Sequence, residues 1–222
     1  MKNVSSRGKA TRILIVDDHP LVRRGLAEVI SHEPDWEVCG EAATASEALR
    51  LVSELAPDLV TIDISLNDGN GMDLIKQVNS SYPEVKVLVA SMHDESLFAE
   101  RCLRAGAMGY INKIEATEKV LEAIRTILDG KVYLSEQFRQ RMVHRMIGRE
   151  KIDQSPLESL SNRKLEVFSL IGHGLTTREI ADKLHLSPKT IYTHRKSLKL
   201  KLNLKNATEL NHHAVQWVLE QA

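Results

Sequence analysis

Short apolar runs alternate with stretches of helical spacing through about the first 130 residues of this 222-residue chain. Each apolar run is bounded by turn residues, which predicts a buried strand, and the five runs cover residues 12–16, 36–41, 59–62, 85–90 and 108–111. The stretches between them repeat apolar residues on one helical face, over residues 21–30, 45–55, 72–78, 96–104 and 117–128. Repeated strand–helix units favour a doubly wound α/β domain, with five parallel strands and helices on both faces.

The pattern changes after residue 130. Residues 131–157 carry only a thin apolar stripe, which is typical of a linker that is partly helical. Residues 158–222 have a purely helical pattern and predict a second, smaller all-α domain, with helices over 161–172, 178–184, 188–202 and 207–219. Two short helices joined by a tight turn indicate a helix-turn-helix within it. Residues 1–10 are predicted to be a disordered tail.

Capping residues mark where the helices of the second domain begin. Ser161, and either Thr176 or Thr177, can accept a hydrogen bond from an N–H of the turn that follows. Ser187 followed by Pro188 is a stronger signal, because proline suits the first helical position.

The formal net charge of zero conceals an uneven distribution of charge. Residues 12–130 hold 21 acidic and 11 basic side chains, a net −10, whereas residues 156–222 hold 6 acidic and 10 basic ones, a net +4. This asymmetry predicts two domains with different partners, and the basic domain can bind a polyanion. Ordinary solvated surfaces are the alternative that charge alone leaves open.

Targeting signals and cysteine usage indicate the compartment. No apolar run approaches the length of about 18 residues that spans a membrane, and the N-terminus lacks the apolar core of a secretory signal. Cys39 and Cys102 lie far apart in sequence, which favours free thiols in a reducing cytosol. The sequence therefore predicts a cytoplasmic protein without a membrane partner.

Polar side chains follow the predicted strands where these reach one edge of the sheet. Asp17 and Asp18 follow the first strand, Asp63 the third, Ser91 the fourth and Lys113 the fifth. Crowded carboxylates raise one another's pKa, and a bound Mg²⁺ relieves their repulsion. Asp63 can attack phosphorus to form an acyl phosphate, with Lys113 paired to Asp63 and Ser91 donating to a phosphoryl oxygen.

This stretch resembles the receiver domain of bacterial two-component response regulators, whose fold is flavodoxin-like. The resemblance covers about residues 11–130 and rests on four features: Val16-Asp17-Asp18-His19-Pro20, the strand ending at Asp63, Ala105-Gly106-Ala107-Met108-Gly109-Tyr110, and Lys113. It implies that Asp63 accepts phosphate from a sensor histidine kinase. It also implies that Asp17, Asp18 and Asp63 hold Mg²⁺ together with the backbone carbonyl of Ser65.

The same resemblance implies a switch. Ser91 and Tyr110 would form the switch pair, with phosphate drawing Tyr110 inward; packing of Tyr110 as an ordinary strand aromatic is the alternative. The chain departs from the receiver pattern in two places. Ser65-Leu66-Asn67 lacks a proline that the family often has, and Ile114 stands where many receivers have proline after the lysine.

The predicted helix over 188–202 carries the candidate DNA contacts. Ile191, Leu198 and Leu202 have the spacing of core residues. The other face carries side chains that can read base edges, namely Lys189, Tyr192, Thr193 and Lys196. Contacts to phosphates are expected from Lys199, Lys201 and Lys205. A solvated helix face is the alternative for these lysines.

A second resemblance, to the LuxR-type DNA-binding domain, rests on the motifs around Leu160-Ser161-Asn162-Arg163, Gly174-Leu175-Thr176-Thr177-Arg178-Glu179-Ile180-Ala181 and Leu186-Ser187-Pro188-Lys189-Thr190-Ile191-Tyr192-Thr193-His194. With the receiver, the whole chain resembles a NarL/FixJ-class regulator. The resemblance implies structural roles for Glu166 and Glu179 and core packing for His194. Leu200, between two lysines, is expected either to contact a dimer partner or to pack.

The function that these features predict is a transcription factor, not an enzyme, switched by phosphorylation of Asp63. Expected partners are double-stranded DNA, a sensor histidine kinase and a second copy of the chain when active, with RNA polymerase as a further candidate. The acidic and basic domains are hypothesised to dock when unphosphorylated. Three alternatives are an orphan regulator that works without phosphate, a Mg²⁺-dependent phosphohydrolase, and an interaction adaptor that does not touch DNA.

Overall fold

The structure is a computed structural model that describes residues 10–66, 71–113, 117–147 and 156–221. The chain divides into two compact units, the first ending at Phe138 and the second beginning at Arg139. In these described ranges, no helix combines the length and the apolar character that crossing a membrane requires.

The first unit is built on a five-stranded parallel sheet with the strand order β2-β1-β3-β4-β5. The strands are β1 (Thr11–Val16), β2 (Trp36–Ala42), β3 (Leu59–Ile62), β4 (Lys86–Ser91) and β5 (Gly109–Asn112). The helices are α1 (Pro20–Ser31), α2 (Ala45–Leu55), α3 (Gly71–Ser81), α4 (Glu95–Ala105) and α5 (Thr117–Leu128). This confirms the predicted doubly wound fold, whose sites lie at the carboxyl ends of the strands, where the strand order reverses.

The core explains why the strands appear in the sequence as unbroken apolar runs. Neighbouring residues of a strand point to opposite faces of the sheet. Ile13 and Leu14 are both fully buried, and all four residues of β3 are buried. Both faces of the sheet are therefore covered, and the strands are apolar throughout rather than alternating.

The chain beyond α5 continues the first unit past the predicted limit at residue 130. The backbone of Tyr133 lies beside β5. The Tyr110 N–H donates to the Tyr133 carbonyl at 3.1 Å, and the Tyr133 N–H donates to the Met108 carbonyl at 3.0 Å. Leu134 and Phe138 are buried. These contacts attach residues 133–138 to the sheet edge, so only the part of the predicted linker beyond them leaves this unit.

The second unit is helical. Helix α6 (Glu136–Met146) begins in the first unit and continues into the second, and a 3₁₀ helix (Pro156–Ser159) precedes α7 (Asn162–Gly172), α8 (Thr177–Lys183), α9 (Pro188–Lys201) and α10 (Ala207–Gln221). Its core holds fully buried side chains from each of the last four helices, including Phe168, Ile180, Ile191 and Leu210. The predicted helix-turn-helix is α8 followed by α9.

Capping residues place the ends of these helices. Thr176 and Glu179 form a reciprocal capping box at the start of α8, and Ser187 accepts a hydrogen bond from the Thr190 N–H at the start of α9. Ser161 occupies the N-cap position of α7, but its side chain makes no capping hydrogen bond. The predicted capping hydrogen bond to the Ser161 side chain is therefore wrong, although the predicted start of the helix is right.

Candidate functional site

The sheet brings the predicted site residues to one edge. Asp17 and Asp18 directly follow β1, and Asp63 directly follows β3, whose last residue is paired with the last residue of β1. The Asp63 N–H donates to the Val16 carbonyl at 2.9 Å, which fixes Asp63, the predicted acceptor residue, beside the first strand. Lys113 follows β5, and its N–H donates to the Ser91 carbonyl at 2.9 Å. Ser91 is the last residue of β4, rather than the residue after it as predicted.

A lysine ammonium lies between two of the carboxylates. Lys113 Nζ is 2.6 Å from Asp63 Oδ2 and 2.5 Å from Asp17 Oδ2. The three side chains are only 4%, 3% and 1% exposed, respectively. At such burial, charge–charge attraction is much stronger than on the surface, and so is the cost of leaving a charge unpaired. The ammonium therefore stabilises two acids that would otherwise repel each other.

The third carboxylate, Asp18, has a different partner. His19 Nδ1 is 2.6 Å from Asp18 Oδ1 and 3.4 Å from Asp17 Oδ1, and the His19 ring is mostly exposed. Burial is the main cause that raises the pKa of Asp18, His19 opposes it, and Asp63 and Asp17 add to the increase. Charge repulsion, the cause of a raised pKa that the sequence suggests, is thus smaller here than desolvation. His19 was not among the predicted site residues.

The donor atoms at this edge fit a hard divalent cation. One ligand atom from each of Asp17, Asp18, His19 and Asp63 lies within 4.8 Å of the others. Most of these donors are carboxylate oxygens, the ligands that Mg²⁺ prefers. The Ser65 N–H donates to Asp63 Oδ1 at 3.2 Å, which keeps the backbone of Ser65 beside Asp63.

Close backbone packing holds the predicted acceptor residue, Asp63, in place. A Cβ atom on Gly71, at the start of α3, would lie 2.3 Å from the Asp63 carbonyl oxygen, so only glycine fits there. The Gly71 N–H donates to the Ile64 carbonyl at 3.2 Å. Of the two departures from the receiver pattern, Ser65 and Leu66 are described, whereas Asn67 and the peptide between Lys113 and Ile114 lie outside the described residues.

The predicted switch pair meets at a residue that sequence reasoning missed. Tyr110 is 1% exposed, and its hydroxyl donates to the His93 carbonyl at 2.8 Å. The His93 N–H donates to Ser91 Oγ at 3.2 Å, so Oγ is the acceptor in this hydrogen bond. Burial raises the pKa of Tyr110, which keeps it a neutral donor. Tyr110 is therefore buried in the structure, and its inward movement on phosphorylation stays a prediction.

The exposed face of α9 carries the side chains predicted to read bases. Lys189, Tyr192, Thr193 and Lys196 are all exposed, and Tyr192 is 66% exposed. Ile191 and Leu198 are buried on the opposite face, as predicted. The Thr193 hydroxyl donates to the Lys189 carbonyl at 3.1 Å, which leaves its methyl group free to contact an apolar group.

The lysines predicted to contact phosphates have different environments. Lys199 is half-buried, Lys205 is exposed, and Lys201 Nζ donates to the Ser159 carbonyl at 2.9 Å. Lys201 would have to give up that bond to reach a phosphate. Leu200 is 74% exposed, so it does not pack within the described part of its unit.

Residues behind this face support the helix-turn-helix. Arg163 donates to Glu166 at 2.7 Å and to the Leu184 carbonyl at 2.6 Å, which ties α7 to the end of α8. Burial lowers the pKa of the half-buried His194, so its ring is neutral at physiological pH. Glu179 contributes to the capping box of α8. The contacts of Glu166 and Glu179 agree with the structural roles expected for them, and core packing of His194 stays a prediction.

Two family models match the chain, one over each unit. The response regulator receiver domain matches residues 13–125. The model of bacterial regulatory proteins of the luxR family matches residues 158–214.

Curated relatives match nearly the whole chain. The oxygen regulatory protein NreC of Staphylococcus epidermidis is 33% identical over 211 residues, covering 92% of this chain and 97% of that protein. NreC of Staphylococcus aureus is 35% identical over 210 residues, with the same coverage.

Solved structures are similar as well. A LuxR-family two-component response regulator from Aurantimonas is 34% identical, with a TM-score of 0.58, covering 62% of this chain and 99% of that one. RcsB from Salmonella typhimurium is 25% identical, with a TM-score of 0.58, covering 93% of this chain and 98% of that one. The chain therefore belongs to the two-component response regulators that join a receiver domain to a LuxR-type DNA-binding domain.

Proposed function

We propose that a sensor histidine kinase phosphorylates Asp63, and that this phosphate switches the affinity of the chain for specific double-stranded DNA. The observation that carries the proposal is the buried Lys113 ammonium, within 2.6 Å of Asp63 and 2.5 Å of Asp17, beside a third carboxylate. Burying three acids beside one lysine at a sheet edge lowers the free energy of unfolding. Charge clusters of this kind are typical of functional sites, and a phosphoacceptor site requires one.

The roles of the chain's own residues follow from the contacts. A carboxylate oxygen of Asp63 attacks phosphorus and forms an O–P bond, while the bond from phosphorus to the donor's nitrogen or oxygen breaks. Lys113 can move from Asp63 Oδ2 to a phosphoryl oxygen, and the Ser91 hydroxyl can donate to another. Asp17, Asp18, Asp63 and the Ser65 carbonyl would hold Mg²⁺, which offsets the negative charge that gathers on the phosphoryl oxygens.

The second half of the proposal concerns DNA. The α9 face with Lys189, Tyr192, Thr193 and Lys196 would enter the major groove, and Lys199, Lys201 and Lys205 would contact phosphates. A similar structure, 25% identical with a TM-score of 0.57, is described as two RcsB dimers bound to DNA. We extend dimeric binding to this chain, with exposed Leu200 as a candidate dimer contact. RNA polymerase is a further candidate partner, and the cytoplasm, where bacterial DNA lies, is the compartment.

The test is selection of duplexes from a random pool, with and without acetyl phosphate and Mg²⁺. The wild type and a control, Asp129→Asn, in which an exposed carboxylate is removed, should enrich one sequence and bind it more tightly with the phosphodonor. Asp63→Asn should show no response to the donor. Equal binding under both conditions would favour the orphan regulator, and no enrichment of any duplex would favour the adaptor.

A further inference from the structure

His93 links several parts of the receiver site. Its Nε2 is 2.7 Å from the Ser65 hydroxyl, and its ring stacks on Phe98 with centroids 4.8 Å apart. Its carbonyl accepts from the Tyr110 hydroxyl, and its N–H donates to Ser91 Oγ. One residue therefore contacts the acceptor loop (residues 63–66), helix α4 and both members of the predicted switch pair.

Ser65 is placed to respond to a change at Asp63. It lies two residues after the acceptor, and its N–H donates to Asp63 Oδ1 at 3.2 Å. An O–P bond on Asp63 changes the charge and the position of that carboxylate. Because the Ser65 backbone is bonded to it, the Ser65 hydroxyl moves with the loop, and its 2.7 Å hydrogen bond passes the displacement to the His93 ring.

The His93 ring is not free to absorb such a displacement. The ring stacks against Phe98, which is a residue of α4 and only 3% exposed. A shift of the ring therefore acts on α4 or on the His93 backbone, and that backbone holds the Tyr110 hydroxyl. Closely packed side chains in a protein interior move together, and a coupling between two sites requires such a continuous set of contacts.

We propose that the Ser65–His93 hydrogen bond couples the acceptor loop to Tyr110 and α4, which makes His93 a positioning residue of the switch. The proposal rests on the function proposed above. The coupling acts through the hydrogen bond at the Tyr110 hydroxyl and through the packing of His93 on Phe98 of α4. Phosphate uptake is measured separately in every variant, because the backbone of Ser65 belongs to the proposed Mg²⁺ site.

The test uses the full-length protein and substitutions on either side of the bond. Ser65→Ala removes the hydroxyl, His93→Phe keeps an aromatic ring against Phe98 but lacks Nε2, and the double variant lacks both. Ser65→Thr keeps a hydroxyl, and Ser80→Ala, on an exposed serine of α3, is the matched control. Phosphate uptake from acetyl phosphate and Mg²⁺ is measured by intact mass, and all variants are then compared at equal phosphorylated fraction.

Two readouts follow the coupling. One is the gain in affinity for the selected duplex on phosphorylation, and the other is the change in amide hydrogen exchange across residues 92–110. Ser65→Ala and His93→Phe should each reduce the gain about threefold to tenfold, the range of one lost hydrogen bond. The double variant should lose no more than either single one, because both remove the same bond. Ser65→Thr and Ser80→Ala should keep the full gain and the exchange change.

The outcomes separate this inference from the function on which it rests. If the wild type takes up no phosphate, the proposed function fails, and the coupling fails with it. If the wild type responds and both single variants respond fully at equal phosphorylation, the coupling is wrong while the function stands. A double variant that loses the product of the two single losses would also overturn it, because the residues would then act independently.

Discussion

The charged side chains of the receiver site lie out of solvent, whereas those of the α9 face lie in it. Asp17, Asp63 and Lys113 are at most 4% exposed, and Lys113 forms an ion pair with each of the two acids. Lys189 and Lys196 are exposed, and between them Tyr192 is 66% exposed. A reaction site needs charges held in place before the substrate arrives, and burial with paired charges does this. A DNA-reading face needs side chains that remain free to meet bases and phosphates.

The difference has an energetic consequence. A buried charge that loses its partner destabilises the protein by about 3 kcal/mol, whereas an exposed lysine contributes little to folding. Substitutions at the receiver edge should therefore change both stability and phosphate chemistry. Substitutions on the α9 face should change DNA binding and leave the stability of the protein nearly unchanged.

The largest effect is expected from Lys113→Met, which keeps much of the side-chain length and removes the charge. Phosphate uptake should fall about 100-fold because the phosphoryl oxygens lose their cation. The free energy of unfolding should fall by about 3 kcal/mol because Asp17 and Asp63 are left buried without it. Mass spectrometry and thermal unfolding measure the two effects, and Lys119→Met, at an exposed lysine, is the control. Uptake within threefold of the wild type would contradict the assigned role.

On the α9 face, Lys189→Ala and Lys196→Ala should each weaken binding to the selected duplex by about 1–3 kcal/mol and relax the base preference at one position. Lys199→Ala should weaken binding to all duplexes alike and lower the salt dependence by about one ion. Titrations at several salt concentrations measure both effects. Lys76→Ala, at an exposed lysine of the first unit, is the control. Equal losses on every sequence for Lys189→Ala would show that it contacts phosphate rather than a base.

A smaller effect, of opposite sign, is expected from Asp18→Asn. Since burial raises the pKa of Asp18, the folded state disfavours its ionised form, and this cost is present above the raised pKa. Without Mg²⁺, the asparagine variant should therefore be more stable at neutral pH, by about 2 °C in Tm. The difference in Tm between variant and wild type should vanish as the pH falls below the raised pKa of Asp18, because Asp18 itself then becomes neutral. With Mg²⁺ the order should reverse, because the variant lacks one of the metal ligands. A wild type that is more stable than Asp18→Asn at neutral pH in the absence of Mg²⁺ would contradict this prediction.

The fold and the candidate chemistry could largely be predicted because both rest on periodic or positional signals. Buried parallel strands are continuous apolar runs, and their carboxyl ends share one edge, so the order of residues along the chain is enough to group Asp17, Asp63 and Lys113. In the same way, helical spacing separates Ile191 from Lys189 and Tyr192.

What could not be predicted depends on loops and rotamers, which leave no periodic signal. His93 reaches Ser65 across 28 positions of sequence, and Tyr133 joins the sheet edge through a single bridge. Whether Tyr110 points inward depends on an acceptor, the His93 carbonyl, whose position the loop after β4 determines. His19 follows Asp17 and Asp18 in sequence, but its side-chain rotamer, and with it the contact to Asp18, cannot be predicted from that position.

The central claim is that Asp63 is the phosphoacceptor, and mapping of the modified residue tests it most directly. The wild type is incubated with acetyl phosphate and Mg²⁺, digested, and its peptides are sequenced by mass spectrometry beside those of Asp63→Asn. We predict one added phosphate, located on Asp63 and absent from the variant. Phosphate on another residue, no phosphate on the wild type, or equal labelling of Asp63→Asn would contradict the account.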